Sequence, residues 1–146
     1  MKAKSRTLRS RQLERALKPY VTAAAQTRPQ RGWIRAIREA TGMTLREMAR
    51  RLGKVPSLAV YLEKSEAENR ITLGSLRDAA DALGCELVYA LVPKEGSLSK
   101  LLEQRARAEA TENVLAVEHS MALEDQAVGG VEKKIAEETR RILSRG

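Results

Sequence analysis

The chain has 146 residues and a formal net charge of +8, which arises from 27 Lys and Arg residues against 19 Asp and Glu residues. This length fits one domain with extensions or two small domains. Aromatic residues make up only 3% of the chain and Phe is absent, so the expected core is aliphatic, which suits packed helices. A single Cys and a single His exclude an internal disulfide and make a four-ligand zinc site hard to build. No run approaches the roughly 18 apolar residues of a membrane span.

The positive charge is concentrated at the N-terminus. Residues 1–31 contain nine Lys and Arg residues and one acid, Glu14, so the remaining chain is neutral. Such basic arms commonly add phosphate contacts and salt-dependent affinity for nucleic acid, although an arm can also serve solubility alone. A helix is predicted over residues 5–18, because Pro19 disfavours its continuation. We therefore divide the chain into a basic N-terminal arm or helix (1–31), a compact domain (32–93) and a helical tail (94–146).

The compact domain contains two short predicted helices joined by a tight turn. Four apolar residues recur at helical spacing on one stripe of the first helix; they are Leu45, Met48, Ala49 and Leu52. Thr44 can cap this helix, and Gly53 stands where a left-handed residue commonly ends one. A second helix can begin near Pro56, since proline is favoured in a first helical turn. This order predicts a helix-turn-helix, whose second helix enters the DNA major groove.

If this prediction holds, two sets of residues are candidates for DNA contact. Base contacts are expected at the start and along the exposed side of the second helix: Val55, Pro56, Ser57, Val60 and Tyr61. Phosphate contacts are expected at the first turn of the preceding helix and in the loop after the second helix: Arg46, Asn69 and Arg70. The base-contact set contains no Arg, Asn or Gln. Specificity is therefore expected to depend on DNA shape, on the Arg-rich arm in a minor groove, or on dimer spacing. An alternative is that Leu58, Val60 and Tyr61 form a protein-binding face.

The flanking segments complete a small helical bundle. Trp33 begins a helix that Gly42 ends, and its indole is expected in the core. Residues 64–70 are predicted to form a polar loop. Thr72 can cap a further helix with apolar residues at helical spacing, and Gly84 stops it.

The periodicity then changes over residues 85–93, which are rich in Val, Leu and Tyr. We predict a single β-strand over residues 86–92. One strand cannot satisfy its own backbone groups, so it must pair with the same strand of a second copy or with a partner protein, or lie buried without a ladder. The first solution gives a two-fold homodimer.

The sequence contains no motif that indicates catalysis. His119, the only histidine, stands in a charged predicted helix, and Cys85 begins the apolar segment and is interpreted as a core thiol. No Gly-rich phosphate loop, paired-cysteine motif or metalloprotease motif is present. We expect a protein that is not an enzyme and that requires no cofactor or metal.

Two resemblances refine this interpretation. Residues 44–66 resemble the helix-turn-helix of Xre-type, phage-repressor-like regulators. The resemblance implies base contacts at Pro56, Ser57 and Tyr61 and a phosphate contact at Arg46. Pro56 and Tyr61 depart from the Gln-rich pattern of that family, which affects the details of base readout.

The strings RPQRGWIRAIREATGMTLREMARRLG and GCELVYALVP are similar to mobile mystery protein A, over roughly residues 5–100. That resemblance implies an antitoxin encoded beside a Fic-domain toxin, which it would bind while repressing its own operon. Fic inhibitors often contain a Ser/Thr-x-x-x-Glu-Gly/Asn helix, and Ser120 to Glu124 comes close to this pattern. An ordinary surface helix is the alternative for that segment.

Together these observations predict a mainly α protein: a phage-repressor-like helix-turn-helix bundle with one C-terminal strand and helical extensions. The expected function is a cytoplasmic, nucleoid-associated operator-binding repressor that acts as a homodimer and as the antitoxin of a Fic-domain toxin. The alternatives are a stand-alone regulator of a mobile element, and a protein-binding adaptor that uses the helix-turn-helix as a scaffold.

Overall fold

A computed structural model describes residues 2–120 and 128–145 of the chain. Within these ranges the structure contains seven α-helices and no β-strand. The helices are α1 (Lys2–Ala23), α2 (Trp33–Ala40), α3 (Leu45–Leu52), α4 (Pro56–Ala67), α5 (Leu73–Ala82), α6 (Leu98–Ser120) and α7 (Val128–Arg145). They form two compact units, one with α2 to α5 (Gln26–Tyr89) and one with α1, α6 and α7.

The unit of α2 to α5 is built around a small aliphatic core. Its buried apolar side chains come from all four helices and from the turn before α3; they are Ile34, Met43, Met48, Ala49, Ala59, Leu62 and Ala79. Leu45 and Leu52 pack against this core from α3, as their helical spacing predicts. The core is therefore the one expected from the apolar stripe of α3, closed by α2, α4 and α5.

Local capping signals fix the ends of α3 and the start of α5. Thr44 Oγ1 accepts a hydrogen bond from the backbone N–H of Glu47 at 3.1 Å, and Gly53 adopts a left-handed φ of 66° just after α3. Thr72 caps α5 in the same way, since its Oγ1 accepts from the N–H of Ser75 at 3.1 Å. These caps satisfy backbone groups that a helix end leaves free, and they agree with the sequence-based predictions.

Three sequence-based expectations for the helices are wrong. The polar segment that begins at Lys64 is helical as far as Ala67, because α4 buries its acidic residues against α2. Trp33 is 53% exposed rather than a core anchor, and the next residue, Ile34, occupies the core position. Helix α1 also continues through Pro19 to Ala23.

The strand predicted over residues 86–92 does not form. Residues 85–93 have no regular secondary structure. A strand requires a hydrogen-bonded neighbour, and the described part of this single chain contains no strand that could pair with it. Residues 87–92 form a continuous apolar run, but an apolar run alone does not supply a pairing partner.

The second unit is an assembly of long helices. Ala106 and Ala110 of α6 are buried, as is Ile135 of α7. Arg107 of α6 forms an ion pair with Glu132 of α7 at 2.9 Å. The small Ala side chains allow the two helices to approach closely. A tail with few apolar residues can therefore still bury an apolar contact surface.

Two further observations concern the tail and the membrane. Helix α6 ends at Ser120, whereas Glu124 lies outside the described residues, so the Ser120–Glu124 pattern stays a prediction. None of the helices in the described ranges has the length and apolar character needed to span a membrane.

Candidate nucleic-acid interface

Helix α4 presents one exposed stripe to solvent. Ser57, Val60 and Tyr61 lie along it at helical spacing, and Lys64 extends it by one further turn. Val55 precedes the helix as its N-cap, and Pro56 is the first helical residue; both are exposed. The structure thus brings together the five residues predicted for base contact on one accessible surface, here called the α4 face (residues 55–57, 60, 61 and 64).

The α4 face contains no carboxylate, although α4 contains acids. Glu63 and Glu66 are both buried, at 8% and 3% exposure. A buried carboxylate is stable only where its charge and hydrogen-bonding capacity are satisfied. Each of these acids has such a partner on α2, and these partners also fix the position of α4.

Glu63 pairs with Arg38 of α2. The Arg38 guanidinium donates from Nε to Glu63 Oε1 and from Nη2 to Glu63 Oε2, the latter at 3.4 Å. Its Nη1 donates to the carbonyl oxygen of Met43 at 3.0 Å. The hydrogen bond to Glu63 raises the pKa of Arg38 above its ordinary value, against the effect of burial. One side chain therefore joins α2, the turn before α3 and helix α4.

Glu66 caps the N-terminus of α2 from a distance in sequence. Its Oε1 accepts from the backbone N–H of Ile34 at 2.8 Å, and its Oε2 accepts from the N–H of Trp33 at 3.1 Å. A carboxylate at a helix N-terminus satisfies free N–H groups and opposes the positive end of the helix dipole. Arg28 donates to the carbonyl oxygens of Glu66 and Ala67, both at 3.4 Å. The end of α4 is thereby tied to the start of α2.

Arg46 stands at the second position of α3 and is exposed. No ion pair involves Arg46 among the described residues, and the same is true of Arg50 and Lys54. Arg51 differs, because it pairs with Glu47 at 3.2 Å and donates to the carbonyl oxygen of Ala82 at 3.4 Å. Arg46 is thus a cation beside the free N–H groups of a helix start, which is the arrangement expected of a phosphate contact.

The loop after α4 contains the remaining two candidates. Asn69 is exposed and adopts a left-handed φ of 58°, a conformation that Asn tolerates better than most residues. Arg70 forms an ion pair with Glu68, so part of its charge is already neutralised. Asn69 is therefore the more available of the two for a hydrogen bond to a phosphate.

A groove of about 780 Å³ lies between α3, α4 and α5. Tyr61 lines one side of it, Arg51 and Lys54 contribute positive charge, and Asp78 and Asp81 contribute negative charge from α5. Because both signs are present, the groove itself is not an anion site. The negative charge that lines this groove together with Tyr61 comes from α5 and not from the α4 face.

Helix α1 presents further positive charge in its own unit. Six of its cations are exposed and form no ion pair among the described residues; they are Lys4, Arg6, Arg9, Arg11, Arg15 and Lys18. Lys4, Arg11, Arg15 and Lys18 follow one another at 7, 4 and 3 residues, so they share one helical stripe. Most of the predicted basic arm is thus the helix α1, which presents a row of positively charged side chains along one side.

Sequence reasoning missed Lys64 as a member of the α4 face and missed the two buried acids. The signal for Lys64 was its spacing of three residues from Tyr61. No local signal identified Glu63 and Glu66, because their partners lie about 30 residues away. In the described part of the chain, no cluster of three or more His, Cys, Asp or Glu residues is arranged to hold a metal ion.

A capped helix, a glycine turn and a second helix with an exposed face define a helix-turn-helix domain. Residues 34–89 match the family model Helix-turn-helix (HTH_3), so this part of the chain is an Xre-type helix-turn-helix domain. This family indicates a DNA-binding transcription regulator. No curated protein and no solved structure matches the chain.

Proposed function

We propose that the chain is a sequence-specific DNA-binding repressor that acts as a homodimer and has no catalytic activity of its own. One observation carries this proposal: α4 buries both Glu63 and Glu66, so its exposed face from Val55 to Lys64 contains no negative charge. A surface that lies against a polyanion must avoid carboxylates. Acting on operator DNA, the protein would work in the cytoplasm at the nucleoid.

The contacts expected at this surface follow from the side chains. Ser57 can bond to a base edge or to a phosphate, and Tyr61 can place its hydroxyl on a phosphate or its ring on a thymine methyl group. Arg46 would hold a phosphate at the start of α3. Val55, Pro56 and Val60 can add only apolar contact. Because the α4 face contains no Arg, Asn or Gln, we expect DNA shape and half-site spacing to provide most of the specificity.

The test is binding of the full chain to the DNA upstream of its own reading frame. Fluorescence anisotropy with an excess of unrelated competitor DNA measures the specific affinity. Val60→Glu places a carboxylate at the centre of the α4 face and should reduce specific binding by at least tenfold. Leu115→Glu on α6 is the matched control, because Val60 and Leu115 are equally exposed, at 50% and 51%. Equal affinity of both variants and the parent would contradict the proposal.

The proposal also includes a more specific role, that of an antitoxin. Its support is the resemblance of residues 5–100 to mobile mystery protein A, whose members look like antitoxins encoded beside a Fic-domain protein. The test is to sequence the adjacent reading frame and, where it encodes a Fic-domain protein, to co-express the two. Growth arrest by the neighbour alone and rescue by this chain would support the role. A neighbour of another class would leave a stand-alone regulator of a mobile element.

The Ser120–Glu124 pattern suggests how such a toxin would be inhibited. In this hypothesis Glu124 pairs with the arginine that holds the ATP γ-phosphate in the Fic site. Glu124→Lys should then release toxicity in co-expression, whereas Glu112→Lys on α6 should not. Equal rescue by both variants would remove this part of the hypothesis and leave the DNA-binding proposal untouched.

The competing function is a protein-binding adaptor in which the helix-turn-helix serves only as a scaffold. It is favoured by the exposed apolar residues Val55, Val60 and Tyr61, which could contact a protein as well as a thymine. An adaptor would bind its own promoter no better than competitor DNA, so the anisotropy experiment separates the two functions.

A further inference from the structure

The segment after α5 exposes apolar side chains and leaves its backbone unpaired. Val88, Tyr89 and Leu91 are exposed, and Leu91 is 88% exposed. From residue 86 to residue 92, no backbone N–H or C=O group forms a hydrogen bond with another described residue. An extended run with free backbone groups and apolar side chains is a ready partner for another strand.

We infer that residues 86–93 of two copies pair as antiparallel strands around a two-fold axis at Ala90, with Lys94, the first residue of the following turn, at the end of each strand. Two-fold symmetry restricts the register, because the axis must pass through a pair of identical residues. With the axis at Ala90, Glu86 lies opposite Lys94 of the second copy, and the pair occurs twice. Axes at Tyr89 or Leu91 place Glu86 opposite Val92, or Lys94 opposite Val88, and lose both charge pairs.

The apolar residues also match in this register. Tyr89 lies opposite Leu91 and Val88 lies opposite Val92, so apolar side chains meet at directly opposite positions, where cross-strand neighbours are close enough to contact each other. Ala90, which meets its own copy at the axis, has the small side chain that a self-pair there accommodates most easily. Three side chains that are exposed in the single chain, Val88, Tyr89 and Leu91, would therefore each contact an apolar side chain of the second copy across the ladder.

The position of Pro93 determines which residue pairs of the ladder exchange backbone hydrogen bonds. Antiparallel pairs alternate between those that exchange backbone hydrogen bonds and those that do not. If Ala90 forms a hydrogen-bonded pair with itself, the pair of Leu87 and Pro93 is not hydrogen-bonded, and the missing N–H of Pro93 costs nothing. The opposite phase would require a hydrogen bond that Pro93 cannot donate. Charge, side-chain pairing and proline position thus indicate one register.

This pairing deepens the proposed homodimeric repressor, since it names the surface that joins the two copies. It does not require DNA, so its failure and the failure of DNA binding are separate results. A two-stranded ribbon is only marginally stable alone, and we expect the association to depend on protein concentration.

Disulfide trapping between full-length chains tests the register. One preparation contains Tyr89→Cys and the other Leu91→Cys, each in a Cys85→Ser background. Opposite residues in a non-hydrogen-bonded pair have Cα atoms about 4.5 Å apart, which a disulfide can bridge. Like positions stand about 7–8 Å apart, beyond that reach. The mixture should therefore form a covalent dimer at least tenfold faster than either preparation alone.

A mixture of Val88→Cys and Leu91→Cys chains is the control, because these residues lie on opposite faces of the ladder. Its cross-linking should be as slow as that of the single preparations. Fast cross-linking of either preparation alone would mean a different register, and equal rates in both mixtures would mean random collision. No cross-linking in any sample would mean no pairing. Each of these three results would overturn the inference.

The charge pair provides a second measurement that does not involve cysteine. Glu86→Lys should weaken self-association in sedimentation equilibrium by roughly tenfold, because it creates two like-charge pairs with Lys94. Adding Lys94→Glu reverses both members and should restore the parent's association. Failure of the double variant to recover would also overturn the proposed register.

Discussion

Glu66, near the C-terminal end of α4, caps the first turn of α2 through the backbone N–H of Ile34 at 2.8 Å. Ile34 is itself a fully buried core residue, so the bond joins the orientation of the candidate recognition helix to the core of its domain. The nearby Gly32 adopts a φ of 88°. A Cβ at this position would lie 2.5 Å from Glu66 Oε1. The cap therefore depends on a carboxylate and on the absence of a side chain opposite it.

The first prediction concerns this cap. Glu66→Ala removes two hydrogen bonds to free N–H groups of α2 and should lower the free energy of unfolding by about 2–4 kcal/mol. Chemical denaturation of the full chain, followed by circular dichroism, measures the change. Glu68→Ala, two residues further along at an exposed position, should change stability by less than about 0.5 kcal/mol. Equal effects of the two variants would contradict the role of Glu66.

The second prediction uses two glycines that both have a positive φ. Gly53 has a φ of 66°, and no heavy atom lies within 4 Å of the position that a Cβ would occupy. Gly53→Ala should therefore cost only the left-handed strain of about 1 kcal/mol. Gly32 combines its positive φ with a ψ of 165°, a conformation that essentially only glycine adopts. Gly32→Ala therefore adds both this larger strain and the clash with Glu66, and it should cost about 2–4 kcal/mol more than Gly53→Ala. In the Glu66→Ala background the cost of Gly32→Ala should fall by about 1–2 kcal/mol, because the clash is removed while the backbone strain remains. An unchanged cost in the free energy of unfolding would show that the clash does not contribute.

The third prediction concerns the ion pair of Arg38 and Glu63, whose side chains are only 12% and 10% exposed. Arg38→Met leaves a nearly buried carboxylate without its partner and should cost about 3–5 kcal/mol. The double variant Arg38→Met/Glu63→Leu should be more stable than Arg38→Met alone, because no unpaired charge remains. Arg35→Met, which breaks the exposed pair with Glu39, should cost at most about 1 kcal/mol. A double variant less stable than Arg38→Met would contradict this account.

These interactions show which parts of the fold the sequence could predict. The ends of α3 and the start of α5 depend on residues within one helical turn, such as Thr44 with Glu47, and they could be predicted. The inward positions of Glu63 and Glu66 depend on partners in α2, and single-sequence patterning treats such acids as solvent-exposed. The apolar character of Trp33 predicts a core position, whereas the helix register puts Ile34 there.

The predicted strand shows a second limit of prediction from one sequence, because its formation depends on a pairing partner. The sequence describes residues 87–92 as a run that is apolar on both faces, and the structure leaves Val88, Tyr89 and Leu91 exposed. Whether such a run becomes a strand depends on a pairing partner, which the described part of a single copy does not supply. The exposure of the α4 face was easier to predict, since exposure along a helix follows directly from its period.

The fourth prediction concerns pH. The hydrogen bond from Arg35 is the main cause that lowers the pKa of Glu39 below its ordinary value of 4.5. A carboxyl whose pKa is lower in the folded state stabilises the fold above its unfolded pKa. That contribution is lost as pH falls through the folded pKa.

NMR titration of the carboxyl carbons tests this assignment in both units of the protein. Arg35→Gln should raise the titration midpoint of Glu39 toward its ordinary value and leave that of Glu138 unchanged. Arg141→Gln should do the reverse, because the hydrogen bond from Arg141 is the main cause that lowers the pKa of Glu138. A midpoint of Glu39 that does not move in Arg35→Gln would contradict the assigned cause.

The last prediction distinguishes direct phosphate contact by α1 from the general effect of net charge. Arg11 and Arg15 lie four residues apart on the cationic stripe, and both are exposed. Each phosphate contact contributes about 0.9 to the slope of log K against log salt concentration. The double variant Arg11→Gln/Arg15→Gln should therefore reduce the magnitude of that slope for operator binding by up to about 2. Lys133→Gln/Arg140→Gln on α7 removes the same net charge and should leave the slope within experimental error of the parent. Equal reductions in both variants would mean that net charge alone acts, and no reduction in either would mean that α1 does not contact the DNA backbone.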